Sequence, residues 1–350
     1  MCCSVSIGPS SATQQKKQKK QAKKQGEINE VSEDPQELVL KNACALLNTG
    51  GGVLVIKIAD FQSLAKDSVD NFWKTIEPRL SALITSSLTY DEVFDRLEFS
   101  DEVLLFISAP QHFCTLKYNL FLPSDVSANE ASYEQTLKLL EKQPSKRGKK
   151  KKLYPIGVPL NNLPTVPKML KCNQSLSFHE SKQVEFKHWT SDKYLDHNNH
   201  GQRQSVEKWI SAFANGSGGV ILLGVTNKGC VLGQELNADN SPEVMEQRVS
   251  SLFNKMICDF TLERGTHWDM EFVPVVGSKS KAVIVIYVAG MASCGGVFTN
   301  FPKSFELKSC GKDGNKVPIQ LDFKGWKERM LSGMGLQSSG KGLRRVRFSF

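Results

Sequence analysis

The feature that most restricts the fold of this 350-residue chain is a helix-to-strand junction that occurs twice. Ala45-Leu46-Leu47-Asn48-Thr49-Gly50-Gly51-Gly52-Val53 lies over Ala212-Phe213-Ala214-Asn215-Gly216-Ser217-Gly218-Gly219-Val220 at a constant offset of 167 residues. A tight junction demands this pattern by itself, because asparagine ends a helix and glycine supplies positive φ where a side chain would clash. Convergence therefore stays open, but the flanking elements repeat too.

In the first half, a helix is predicted from Asp34, with Pro35 at its first position, to Asn48, then the glycine turn and a buried strand Val53–Ile58. A helix over Ser68–Ile84, strands near Val103–Ser108 and Thr115–Leu122, and a helix over Ser127–Lys142 follow. The second half gives a helix Arg203–Asn215, a strand Val220–Val225, a helix capped by Ser241-Pro242 and running to Met256, strands near Met270–Pro274 and Val283–Val288, and a helix Leu321–Met330. This is an α+β pattern of two pseudo-duplicated lobes, and 350 residues suit two domains of about 150 each. The expected division is a basic tail over 1–30, a lobe over 31–142, a basic and proline-rich linker over 143–170, a lobe over 171–331 and a basic tail over 332–350. Two similar lobes would face each other across a cleft, the usual place for a ligand.

The formal net charge of +9 is local. Lys16, Lys17, Lys19, Lys20, Lys23 and Lys24 form one run; Lys146, Arg147 and Lys149, Lys150, Lys151, Lys152 a second; Lys341, Arg344, Arg345 and Arg347 a third. Removing those sixteen from the 45 Lys and Arg leaves 29 basic against 36 acidic residues. Such runs are either solvated tails or polyphosphate contacts that release counterions. The middle run also resembles a nuclear import signal, in a chain otherwise expected to be cytoplasmic.

No stretch reaches the roughly 18 apolar residues of a membrane span, and residues 1–25 lack the apolar core of a secretory signal. The nine cysteines form no CxxC pair, so no disulfide framework is expected. There is no GxxxxGK[ST] phosphate loop and no supported Ser/His/Asp arrangement. Asn215-Gly-Ser matches the glycosylation triplet but is expected to be unmodified without a secretory signal. His197 and His200 lie in a polar stretch without cysteine partners, which favours a solvated loop over half a metal site.

One segment carries candidate chemistry. If Val184–Trp189 is a strand, Glu185, Lys187 and Trp189 share a face, and Glu180 can bend back from the preceding turn. Two carboxylates beside a lysine suit metal-assisted phosphodiester cleavage: the acids hold a hard cation, and the lysine offsets charge on the pentacoordinate state. An ordinary edge strand with solvated charges fits the same spacing.

At these residues the chain resembles the schlafen family. The landmarks are Ala43-Cys-Ala-Leu-Leu-Asn-Thr-Gly-Gly-Gly52, Tyr118-Asn-Leu-Phe-Leu-Pro123, Glu180-Ser-x-x-Val-Glu-Phe-Lys187, and Ser211-Ala-Phe-Ala-Asn-x-x-Gly-Gly219 leading into Leu222-Leu-Gly-Val225. The resemblance implies a core-only member with AlbA_2-like lobes in a horseshoe, whose basic groove takes tRNA or ribosomal RNA. Some members cut that RNA with three acids and Mg²⁺ or Mn²⁺. Two of those acids fall on Glu180 and Glu185; the third position reads Thr226-Asn227, where asparagine offers an oxygen but no charge. Glu235 or Asp239 would need a rearranged loop to substitute. The family's structural zinc site reads His267-Trp-Asp269 and Ser293-Cys294 here, with two of four ligands changed, which weakens the case for Zn²⁺.

Three functions follow as expectations. The chain grips structured RNA without cutting it, with Lys182, Lys187 and Lys149–Lys152 as contacts; or it is a metal-dependent endoribonuclease with Asn227 as a neutral ligand; or it is a regulatory protein-interaction module. A second copy of the chain is the other partner to consider, as a homodimer.

Overall fold

A computed structural model describes residues 2–7, 34–58, 66–84, 88–99, 102–110, 112–124, 127–141, 157–189, 195, 200–278, 280–291, 296–310 and 315–332. In chain order the first half forms β1 (Cys2–Ile7), α1 (Pro35–Leu47), β2 (Gly52–Ile58), α2 (Lys66–Ser81), α3 (Tyr90–Val93), β3 (Phe94–Glu98), β4 (Glu102–Ile107), β5 (Phe121–Pro123), β6 (Ala128–Glu130) and α4 (Tyr133–Glu141). The second half forms β7 (Leu170–Lys171), β8 (Val184–Lys187), α5 (His200–Asn215), β9 (Gly219–Leu223), β10 (Gln234–Glu235), α6 (Pro242–Lys255), β11 (Trp268–Val276), β12 (Lys281–Val288), β13 (Phe305–Cys310), β14 (Asn315–Gln320) and α7 (Phe323–Ser332). The class is α+β.

Helix starts follow local chemistry. The Asp34 carboxylate accepts the Gln36 N–H, and the Ser241 hydroxyl accepts the Val244 N–H, each with proline next in sequence where no N–H is needed.

The chain forms two compact units, but they do not divide at the 143–170 linker. One comprises 1–117 with 303–350, the other 118–302. The expected lobe boundaries are therefore corrected on both sides: β5, β6 and α4 join the second unit, while β13, β14 and α7 join the first. The expected basic tail over 1–30 is also corrected at its start, since Cys2–Ile7 pairs in parallel with β2. The strand expected over Thr115–Leu122 reduces to Phe121–Pro123 plus single bridges at Lys117 and Leu120.

Both units repeat one topology. In the first, the order is β1-β2-β4-β3, with β1 parallel to β2 and the other pairs antiparallel. In the second, β8-β9-β12-β11 runs with β8 parallel to β9 and the rest antiparallel, and β7 is added beside β11. In the first unit, α1 and α2 bury Val39, Leu40, Ala43, Leu46, Trp73 and Ile76 with Leu54, Ile56, Val103 and Leu105 from the sheet. Each large side chain so buried contributes about 1.5–3 kcal/mol. The second sheet is covered on both faces, by α5 and α6 on one and by residues between 158 and 178 on the other.

The junction asparagines do more than end helices. Asn48 Nδ2 donates to the carbonyls of Cys114 and Phe305, both at 2.9 Å, and its Oδ1 accepts the Cys114 N–H at 2.8 Å. Asn215 Nδ2 donates to the carbonyls of Val297 at 2.8 Å and Phe121 at 3.2 Å, and its Oδ1 accepts the Val297 N–H at 2.7 Å. Each asparagine thus ties its helix to the hairpin supplied by the other half of the chain. Glycine is required beside them for close approach: a Cβ on Gly51 would fall 2.4 Å from the Ile107 carbonyl oxygen, and one on Gly218 2.8 Å from that of Val288.

Candidate functional site

The site is built at the edge of the second sheet, where, among the described residues, β9 is the strand paired with β8. Ser181 and Val184 exchange backbone hydrogen bonds, and this tight turn carries Glu180 back along the strand, as the sequence suggested. The Glu180 carboxylate accepts the N–H of Phe186 at 3.2 Å. That N–H points away from β9 and would otherwise need water, so an acid here satisfies an edge strand.

Strand alternation puts Val184 and Phe186 into one apolar layer and sends Glu185 and Lys187 to the opposite face, under α5. Glu185 is only 4% exposed. Its carboxylate is held by the ammonium of Lys187 and accepts a hydrogen bond from the indole of Trp209 on α5. Burial nevertheless pushes the Glu185 carboxyl up to about 7; Lys187 and Trp209 pull it down, and the charge of Glu180 adds to the rise. Desolvation therefore outweighs the ion pair, and near neutral pH the group is poised between its two forms. His188, next along the chain, is pushed below the usual imidazole range by burial and by Lys281.

Asn227 stands apart from this pair. It occupies an exposed turn in which the Gly229 N–H donates to the Thr226 carbonyl at 2.7 Å, and Gly229 adopts φ of 77°. The turn starts where β8 ends, since the N–H groups of Gly224 and Val225 both donate to the Lys187 carbonyl. No described hydrogen bond joins Asn227 to Glu180 or Glu185. Glu235 lies on β10 and Asp239 in an exposed turn. Among the described residues, no three His, Cys, Asp or Glu side chains come together as a metal-holding group.

These residues do not suit Mg²⁺ or Mn²⁺ as they stand. A hard cation needs several free oxygen ligands, whereas Lys187 and Trp209 already occupy Glu185, and Glu180 binds a backbone N–H. The degenerate zinc positions are committed elsewhere as well. His267 accepts the Glu263 N–H on Nδ1 at 3.0 Å, and burial lowers its pKa. Asp269 pairs with Arg264 at 3.0 Å. Cys294 lies outside the described residues, as do His197 and Lys149–Lys152.

The structure therefore brings together Glu180, Glu185 and Lys187, leaves Lys182 exposed on the turn before β8, and adds Trp209. In the sequence Trp209 is marked only as part of the helix Arg203–Asn215. The available signal was a tryptophan on the buried face of α5, because a buried indole N–H usually finds an acceptor. Among the described residues, no helix is long and apolar enough to cross a membrane. Residues 180–293 match the family model described as Schlafen, AlbA_2. The match opens on Glu180 itself and runs past the end of β12.

Proposed function

We propose that this protein binds structured RNA of the tRNA or ribosomal type and does not cut it, a reading supported by the match of residues 180–293 to the Schlafen, AlbA_2 family model. The observation that carries this reading is the state of Glu185. A buried acid engaged by Lys187 and Trp209, with the uncharged Asn227 on a separate exposed turn, is a poor cation ligand.

Duplex RNA is recognised through its shape, its phosphates and its 2′-hydroxyls, so binding needs well-placed cations more than a reacting group. Lys182 on the turn before β8 and Lys187 at its end supply two such positions, and the run Lys149–Lys152 adds salt-sensitive reach. Lys187 is paired with the buried Glu185, whose raised pKa weakens that pairing towards acidic pH.

The reading is tested by incubating the purified full chain with tRNA and Mn²⁺, with Glu185→Ala alongside. Binding without cleavage is expected. Cleavage that Glu185→Ala abolishes would establish the endoribonuclease instead, and cleavage equal in both proteins would come from a contaminant.

A further inference from the structure

Where β8 stops, the second sheet carries two basic side chains on the face opposite the Glu185–Lys187 pair. Strand alternation puts Val184 and Phe186 on that face, and His188 continues the same period. Lys281 opens β12 on the face of Val283 and Val285, which belong to the same apolar layer as Val184 and Phe186.

Two glycines lie between these residues. The Gly224 N–H donates to the Lys187 carbonyl at 2.6 Å, and the Gly233 N–H donates to the Gly224 carbonyl at 2.9 Å. A Cβ on Gly233 would fall 3.0 Å from that of Lys281, and one on Gly224 2.8 Å from the Gly233 carbonyl carbon. Backbone contact this close excludes side chains at both positions, so the row from His188 to Lys281 is crossed by main chain alone.

The two basic groups feel each other. Burial and the charge of Lys281 together hold His188 below the usual imidazole range. Both residues are half-buried, and among the described residues neither side chain has a hydrogen-bond or ion-pair partner. Glu235 stands opposite Lys281 in the β10–β12 ladder and forms no ion pair with it. A partly desolvated ammonium beside an imidazole, without a counter-ion, is stabilised by an incoming anion. Because the N–H groups of both glycines are already bonded, the donors left are the ammonium and one ring N–H, which suit two oxygens of a phosphate.

We propose that His188 and Lys281 together hold one backbone phosphate of the bound RNA. This rests on the RNA-binding reading above and adds a contact on the other face of β8 from Lys187.

The test is tRNA binding across a salt series by the full chain, comparing the parent with Lys281→Gln and Lys281→Arg. Lys281→Gln is expected to bind more weakly and to lower the slope of log affinity against log salt by about one, the loss of one phosphate contact, whereas Lys281→Arg keeps the parent's slope. A parent that binds while Lys281→Gln matches it in affinity and slope would overturn the proposal and leave the RNA reading standing. A parent that binds no RNA would overturn both. The second measure needs no change at Lys281: in the ¹³C-histidine spectrum of the parent, the ring signal that His188→Gln removes is expected to shift when tRNA is added. A signal that stays in place while the RNA binds would also overturn the proposal.

Discussion

The ammonium of Lys187 lies against the carboxylate of Glu185, two residues away on the same face of β8, and that carboxylate is almost wholly buried. The ammonium supplies the positive charge beside a carboxylate that burial shields from water. It also makes the neighbourhood of β8 sensitive to pH.

Lys187→Met leaves Glu185 buried without its partner. A destabilisation of about 3 kcal/mol is expected at pH values above 7 and much less under acidic conditions, where the carboxyl is protonated with or without the lysine. Urea denaturation at the two pH values checks this. An equal loss at both would remove the ion pair as its cause.

The pH dependence of the parent chain follows from the same group. Its pKa is about 7 when folded against an ordinary value of 4.5, so the folded state holds the proton more tightly. The associated stability is full below pH 4.5, falls as pH rises towards 7 and levels off above it, for a total of about 3 kcal/mol. Glu185→Gln is expected to flatten that slope, as read from denaturation midpoints across the range.

Asn48→Ala and Asn215→Ala each strand a buried backbone N–H and remove a donor from two carbonyls, of which those of Cys114 and Val297 keep the hydroxyls of Ser304 and Ser211. Losses of about 3 kcal/mol are expected for each, because an unmet buried group costs about 1–3 kcal/mol. Thermal unfolding of both variants measures this. A small loss for either would show that its hairpin is held by other contacts.

These asparagines also mark the limit of what the sequence reveals. Helix starts at Asp34-Pro35 and Ser241-Pro242 were legible because a cap and its N–H groups lie within three residues. The exchange of hairpins between the two halves of the sequence was not, since the partners of Asn48 and Asn215 are 82 or more residues away in several contacts and leave no local mark. β1 was missed because six residues before a lysine run carry too little pattern, and β3 because Asp95, Arg96 and Glu98 interrupt its apolar alternation. At the site, strand periodicity puts Glu185 and Lys187 on one face with Glu180 bent back towards them, an arrangement an ordinary edge strand shares, and only the family resemblance marks them as a candidate site. The burial that makes Lys187 a partner rather than a free cation depends on α5, and so needed the fold.

Asn227→Asp places a carboxylate on the exposed turn after β9, apart from Glu180 and Glu185. No gain in Mn²⁺ binding by calorimetry over the parent chain is expected. A gain would show that this turn reaches the pair.

The central claim is that the folded core, with its basic runs as auxiliaries, binds structured RNA. The direct measurement is tRNA filter binding across a salt series, on the parent chain and on one whose Lys16, Lys17, Lys19, Lys20, Lys23, Lys24, Arg344, Arg345 and Arg347 are all glutamine, which leaves β1 in place. Affinity of the parent is predicted to fall about a thousandfold between roughly 50 and 200 mM salt, as neutralising about six phosphates requires, and the glutamine variant is predicted to retain weaker but measurable binding. A flat salt response, or complete loss of binding in the variant, would contradict the account.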